Sequence, residues 1–237
     1  MVAQLEQTKT AEIIYPDSDG KPMADNTLQF RWITTIKTNL DWLFADNAQV
    51  FVAGDLLWYP QEGDPKIRQA PDVMVVFGRE KGERGSYQQW KEAHIPPQVV
   101  FEILSPGNTQ KEMYHKLLFY QRYGVEEYYL YDPDHNELSG FLRDDHSLVL
   151  IDDMNGWISP RLGIRFELNQ PELKIYHPNG DLFSTYNEEK RKVLAEKQRA
   201  EQEKQRAEQE KQRAEQEKQR ADKLAAKLKE LGVNLDD

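Results

Sequence analysis

The sequence predicts an α/β domain on a mixed sheet, followed by one long charged helix. Three observations carry this reading. Between Gln98 and Pro133 a strand, a helix of about 15 residues and a second strand follow one another, and such a βαβ unit places its two strands in parallel. "ELSGFLR", "HSLVLID" and "IRFEL" then read as antiparallel strands. Finally, "EKQRAEQ" occurs three times between Glu196 and Gln216, a strict period of seven.

In chain order, residues 1–26 read as a mobile N-terminal lead-in with a turn at "PDSDGKP". Asn26 or Thr27 can cap a helix whose stripe is Leu28, Trp32, Ile36, Leu40 and Leu43, ending near Asp46-Asn47. "AQVFVAGDLLWYP" predicts one strand, or two bent at Gly54, and "QEGDPKIRQA" a loop. "DVMVVF" is the next strand. A long polar connection with a helical turn near Trp90 follows. "QVVFEIL" is another strand, broken by Ser105-Pro106-Gly107-Asn108. The helix from about Thr109 to Tyr123 stops at Gly124. "EEYYLYDP" closes the βαβ unit, and Asn155-Gly156 supplies a hairpin signal. The α/β body spans residues 27–186, and residues 187–237 form the charged heptad-repeat helix.

That tail carries alanine once per heptad, at Ala200, Ala207, Ala214 and Ala221, with Glu203, Glu210 and Glu217 at the other seam position. A coiled coil needs apolar residues at both. Helix propensity is nonetheless high throughout. A solvated spacer helix is expected, with Leu224, Leu228 and Leu231 free to dock on a partner helix or a second copy as a homodimer or coiled coil.

Composition narrows the function. The chain has 237 residues, is 38% hydrophobic and contains no cysteine, which fits a reducing, cytoplasmic compartment and excludes thiolate chemistry. The polar N-terminus predicts no signal peptide, and no window is apolar enough to span a membrane. The net charge of -10 resides in the body, since the charges from Glu188 onward nearly cancel. An acidic body attracts nucleic acid poorly.

Two strands stand out because each carries a charge. Asp72 precedes "VMVVF", and Glu102 sits inside "VVFEIL". An ionised carboxylate in a dry core costs several kcal/mol unless paired or metal-bound. On neighbouring strands, about 4.8 Å apart, the two could share a hard dication such as magnesium or manganese. On the helix, Met113, Lys116, Leu117 and Tyr120 share a face. Lys116 either snorkels outward or reaches the acids, where its ammonium could stabilise a phosphate or orient water. The plainer readings remain: Asp72 exposed at a loop, Glu102 paired at the sheet end, Lys116 on the surface. Lys81 and Arg84 could touch a phosphate backbone or simply be solvated. "DPDHNE" lacks the glycine of a calcium loop and reads as a hairpin turn.

These residues, proline before Asp72 and Glu102 within an apolar strand followed by a helix, resemble the PD-(D/E)XK superfamily with its restriction-endonuclease-like fold. The longer string "PPQVVFEILSPGNTQKEMYHKLLFYQRYGVEEYYLYDP" is similar to the Uma family of endonucleases, abundant in cyanobacteria. The resemblance covers roughly residues 20–180. It implies a magnesium-dependent cut of DNA, with Asp72, Glu102 and the backbone carbonyl of Ile103 on the metal. The superfamily's usual lysine position is Leu104 here, leaving Lys116 on the helix as the candidate. The acid that the first helix often adds has only Asp25 and Gln29 near its place. A second reading is a nuclease-fold binding or assembly module, weak or inactive in catalysis, acting through its tail.

Overall fold

The computed structural model describes residues 13–20 and 22–230. Half of the sequence-predicted lead-in therefore lies outside the described residues, as does Leu231. The chain divides into two compact units, Met1–Thr185 and Tyr186–Asp237.

The first unit opens with helix α1 (Thr27–Leu43), whose N-cap Asn26 accepts a side-chain hydrogen bond from the Gln29 N–H. Trp32, Ile33, Ile36 and Leu40 form its buried stripe. The helix ends before Asp46, because the Phe44 N–H already closes on the Leu40 carbonyl in a non-helical conformation. Strands β1 (Val50–Gly54), β3 (Val73–Phe77), β5 (Val99–Ile103), β6 (Glu127–Asp132), β7 (Glu137–Asp144) and β8 (Ser147–Leu150) form one sheet in the order β1-β3-β5-β6-β7-β8. Only the β5–β6 pair is parallel; the other neighbours are antiparallel. The crossover joining that pair is helix α2 (Gln110–Tyr123). Thr109 caps its start, and Gly124, at φ 94, takes the left-handed conformation that ends it. The architecture is a mixed sheet with flanking helices and a long C-terminal helix.

Alternation along the strands divides the core. One face (Val73, Val75, Val99, Phe101, Ile103) packs with the α1 stripe. The other (Met74, Val76, Val100) packs with Tyr120 of α2 and with Tyr128 and Trp58. Each such aliphatic side chain, fully buried, contributes about 1.5–3 kcal/mol.

Short elements depart from the expectation. Strands β2 (Trp58–Tyr59) and β4 (Tyr87–Gln88) make a two-residue parallel ladder, with a 3-10 turn at Gln89–Lys91. "IRFEL" does not extend the meander: β9 (Arg165–Glu167) pairs with β10 (Lys174–Tyr176) in a separate ribbon. Asn155-Gly156 is a turn, with Gly156 at φ 83, but the segment after it meets β9 through a single bridge, Ile158 to Arg165. Packing against the sheet, rather than a hairpin register, fixes this region.

The second unit is helix α3 (Tyr186–Glu230), 45 residues. At 1.5 Å per residue it is about 68 Å long. Its described side chains are exposed, apart from a half-buried Leu228. Among the described residues no helix is long and apolar enough to cross a membrane.

Candidate active site

Strand register brings the acids together. Gly54 stands opposite Val73, and Val73 opposite Phe101. One step beyond these pairs lie Asp55, Asp72 and Glu102, at the same end of three adjacent strands. Asp72 and Glu102 share the alternation of Met74 and Val100, so both belong to the α2 face of the sheet.

Asp72 is 8% exposed, and its Oδ2 accepts from the Ile103 N–H at 2.6 Å. Burial holds its carboxyl well above the usual range. The Glu102 charge pushes the same way, against the Ile103 hydrogen bond and Lys116. Glu102 is 2% exposed. Its Oε2 accepts from Lys116 Nζ at 2.7 Å, and its Oε1 accepts from the Tyr120 hydroxyl. Burial disfavours the Lys116 charge, yet Glu102 and Asp72 outweigh it, so the ammonium titrates above its ordinary value. Burial, then the Glu102 charge, raise the Tyr120 hydroxyl far up. Lys116 and Tyr120, four residues apart, thus reach one carboxylate from one helical face.

The cleft before these groups has a volume of about 400 Å³. Asp72, Asp55, Asp25, Gln29, Asn108 and Lys116 are among its lining residues. Glu102 lies behind Lys116 and does not line it. Gln29 occupies the α1 position where the resemblance leads one to look for an acid, and its Nε2 donates to the Ile103 carbonyl at 2.8 Å. That carbonyl, the expected third metal ligand, therefore already accepts one bond. Asp25 Oδ2 accepts from Ser105 Oγ at 2.6 Å.

Asp55 is a site residue that reading the sequence missed. It sits at φ 48, with its N–H shared between the carbonyls of Pro71 and Asp72. Burial raises its carboxyl, as do the charges of Asp19 and Glu102, while Lys116 opposes them. Its only sequence signal is an acid directly after the glycine that ends an apolar run. Lys81 and Arg84 stand elsewhere. They follow β3, at the end of that strand away from Asp72. Lys81 Nζ donates to the Phe44 and Ala45 carbonyls behind α1. Arg84 pairs with Glu92 at 2.8 Å and lies 4.0 Å over the Phe51 ring.

No group of three or more histidine, aspartate or glutamate side chains close enough to cage a metal occurs among the described residues. The donor chemistry still fits a hard dication. Two hard carboxylates of like charge are held together, one with its proton affinity raised by burial and by the other, and a cation relieves both effects. Magnesium commonly takes one or two carboxylates and completes its shell with water and substrate phosphate.

Residues 20–175 match the model of a protein family described as "Uma2: Putative restriction endonuclease". Among solved structures, a protein described as a "putative nuclease belonging to DUF820" from Anabaena variabilis is similar at 17% identity. The alignment covers 59% of this chain and 74% of that one, with a TM-score of 0.44. No curated protein matches the chain.

Proposed function

Because the chain belongs to the Uma2 family, described as "Putative restriction endonuclease", we propose that it is a metal-dependent phosphodiesterase that cuts DNA at the Asp72–Glu102 cleft. The observation that carries this reading is the apposition of two buried carboxylates from adjacent strands, with an ammonium on one of them and an open cleft in front.

Asp72 and Glu102 would hold the magnesium or manganese ion. When bound, such an ion supplies Lewis acidity to the phosphate and lowers the pKa of water. Asp72 must give up its proton to serve as a ligand. Metal affinity should therefore climb with pH through the raised titration of that carboxyl. Holding the ion would compete with the hydrogen bond that Glu102 accepts from Lys116. Lys116, which lines the cleft, would serve as an electrostatic partner for a phosphate oxygen. Burial lowers its titration but the Glu102 and Asp72 charges outweigh that, which favours the ammonium form beside them. Tyr120 keeps Glu102 aimed from the buried side.

Calorimetric titration with manganese should show binding that Glu102→Gln weakens at least tenfold. Plasmid nicking in manganese should vanish in Asp72→Asn and in Lys116→Met. Wild-type binding without nicking would favour the second reading, a nuclease-fold binding module. The observation on that side is that both Glu102 oxygens are already taken by Lys116 and Tyr120.

A further inference from the structure

The body of this protein pairs most of its arginines. Arg31, Arg79, Arg84, Arg161 and Arg165 each meet a carboxylate, as do Lys37 and Lys116. Arg143 donates to the carbonyls of Val125 and Gln121. Against this pattern one groove gathers three cations, Lys66, Arg68 and Arg122, none of them in an ion pair among the described residues. Arg68 Nη1 donates to the Pro65 carbonyl, and Arg122 lies 5.4 Å from the Tyr123 ring. The groove, of about 320 Å³, is also lined by Leu118, Phe119 and Tyr123. Phe119 is held by an edge contact to buried Trp58 at 5.3 Å and a tilted contact to Tyr123 at 4.7 Å.

Cations without a carboxylate partner in an acidic protein favour an anion, and aromatic rings lining the same groove favour flat ligands. A polynucleotide strand with unpaired bases offers both, phosphates and π-faces at regular spacing. A duplex hides its base faces, and an acidic peptide has none.

The groove shares both of its walls with the acid cleft. In the loop before β3, Lys66 and Arg68 line the groove, and the next residues, Gln69 and Ala70, line the cleft. On α2, Glu112 and Lys116 line the cleft, and Leu118, Phe119 and Arg122 line the groove. From Lys116 to Phe119 and Arg122 is about 4.5–9 Å along the helix axis. That span matches roughly one to three nucleotides at about 3.4 Å each.

We propose that this groove binds a single-stranded polynucleotide segment and leads it to the acid cleft. The proposal deepens the nuclease reading and rests on it for the direction of the strand, while the binding itself can be tested alone. The middle and the C-terminal turns of α2 then divide the work, Lys116 at the reacting phosphate and Phe119, Arg122 and Tyr123 on its neighbours.

The experiment is fluorescence anisotropy of a labelled 20-nucleotide oligothymidine with the full chain in metal-free buffer, where no cleavage intervenes. Lys66→Ala with Arg122→Ala should weaken binding at least tenfold and lower the salt slope by about 1.4, two contacts at about 0.7 each. Tyr123→Leu, which keeps the apolar bulk, should weaken it at least about fivefold. Circular dichroism checks that the variants are folded. A duplex of matching length should bind more weakly, and polyglutamate should not compete. Unchanged affinity in the double variant, preference for duplex, or competition by polyglutamate would each overturn the proposal. Groove-dependent binding without metal-dependent nicking would leave the groove standing and remove the nuclease reading. Nicking that survives the groove variants, with unchanged oligothymidine affinity, would do the reverse.

Discussion

Two glutamates on adjacent strands are both almost fully buried, Glu102 on β5 at 2% exposed and Glu127 on β6 at 1%. They sit at opposite ends and on opposite faces of the parallel β5–β6 pair. Glu127 stands opposite Val99, where β5 begins, and Glu102 opposite Leu130, near where it ends. Glu127 accepts from neutral donors only: Ser159 Oγ at 2.5 Å, Tyr129 OH at 2.9 Å and the Arg161 N–H at 2.6 Å. It fastens the segment before β9 to the sheet. Glu102 is met by an ammonium, has a second acid beside it, and lies one side chain behind a cleft. Burial of a carboxylate is therefore no sign of function by itself. A cation partner, a like charge and a cleft one side chain away distinguish the proposed metal-binding acid from the clasp.

That contrast can be broken in graded steps. The largest effect should come from Lys116→Met, which strands the Glu102 charge in the core. Urea unfolding should show a loss of about 3–5 kcal/mol, and adding Glu102→Gln should restore most of it. If the single change costs no more than a neutral hydrogen bond, the ion pair is not what holds Glu102.

Next come the paired amides. Glu127→Gln turns an amide toward three groups that all donate to the carboxylate in the wild type and should cost about 1–3 kcal/mol, yet leave manganese affinity unchanged. Glu102→Gln should do the opposite to affinity. Equal effects on binding would erase the distinction.

A smaller, pH-dependent effect is expected at Asp72. Its folded titration lies above the ordinary carboxylate range, chiefly through burial and then through Glu102. The folded state thus holds this proton more tightly than the unfolded chain. The resulting stability is complete below the unfolded pKa and is lost as pH rises through the folded one. Asp72→Asn, which cannot ionise, should melt near the wild type in acid and above it once Asp72 is ionised. A gap that narrows with rising pH would contradict the burial argument. The smallest effect should be Ser159→Ala, about 1 kcal/mol in the same urea assay, for one of three donors to Glu127.

Much of this layout is legible in the residues. Asp72 and Glu102 are visible because each interrupts an apolar run. Helical spacing puts Lys116 and Tyr120 on one face, and both in fact reach Glu102. The βαβ unit announces its own parallel pairing. Other parts leave no local trace. Glu127 follows Glu126 at a strand start and looks like a solvated pair, while its clasp comes from residues 32 and 34 positions away. Asp55 looks like a turn residue until the β1–β3 register sets it beside Asp72. Strands of two or three residues, such as β2, β4 and β10, are too short for periodicity to register. The partners of Arg84 and Lys81, which already occupy these cations within the protein, are fixed by tertiary packing alone.

Behind Glu102 lies a column of rings. The Tyr120 ring is parallel to Trp58 within 2°, their centroids 6.4 Å apart, and Trp58 is wholly enclosed. The indole is thus a fluorophore wired to the acid through a single phenol. A change of charge at Glu102, whether from an arriving cation or a departing ammonium, should shift the emission of Trp58, which gives this protein an unlabelled optical gauge of its own site.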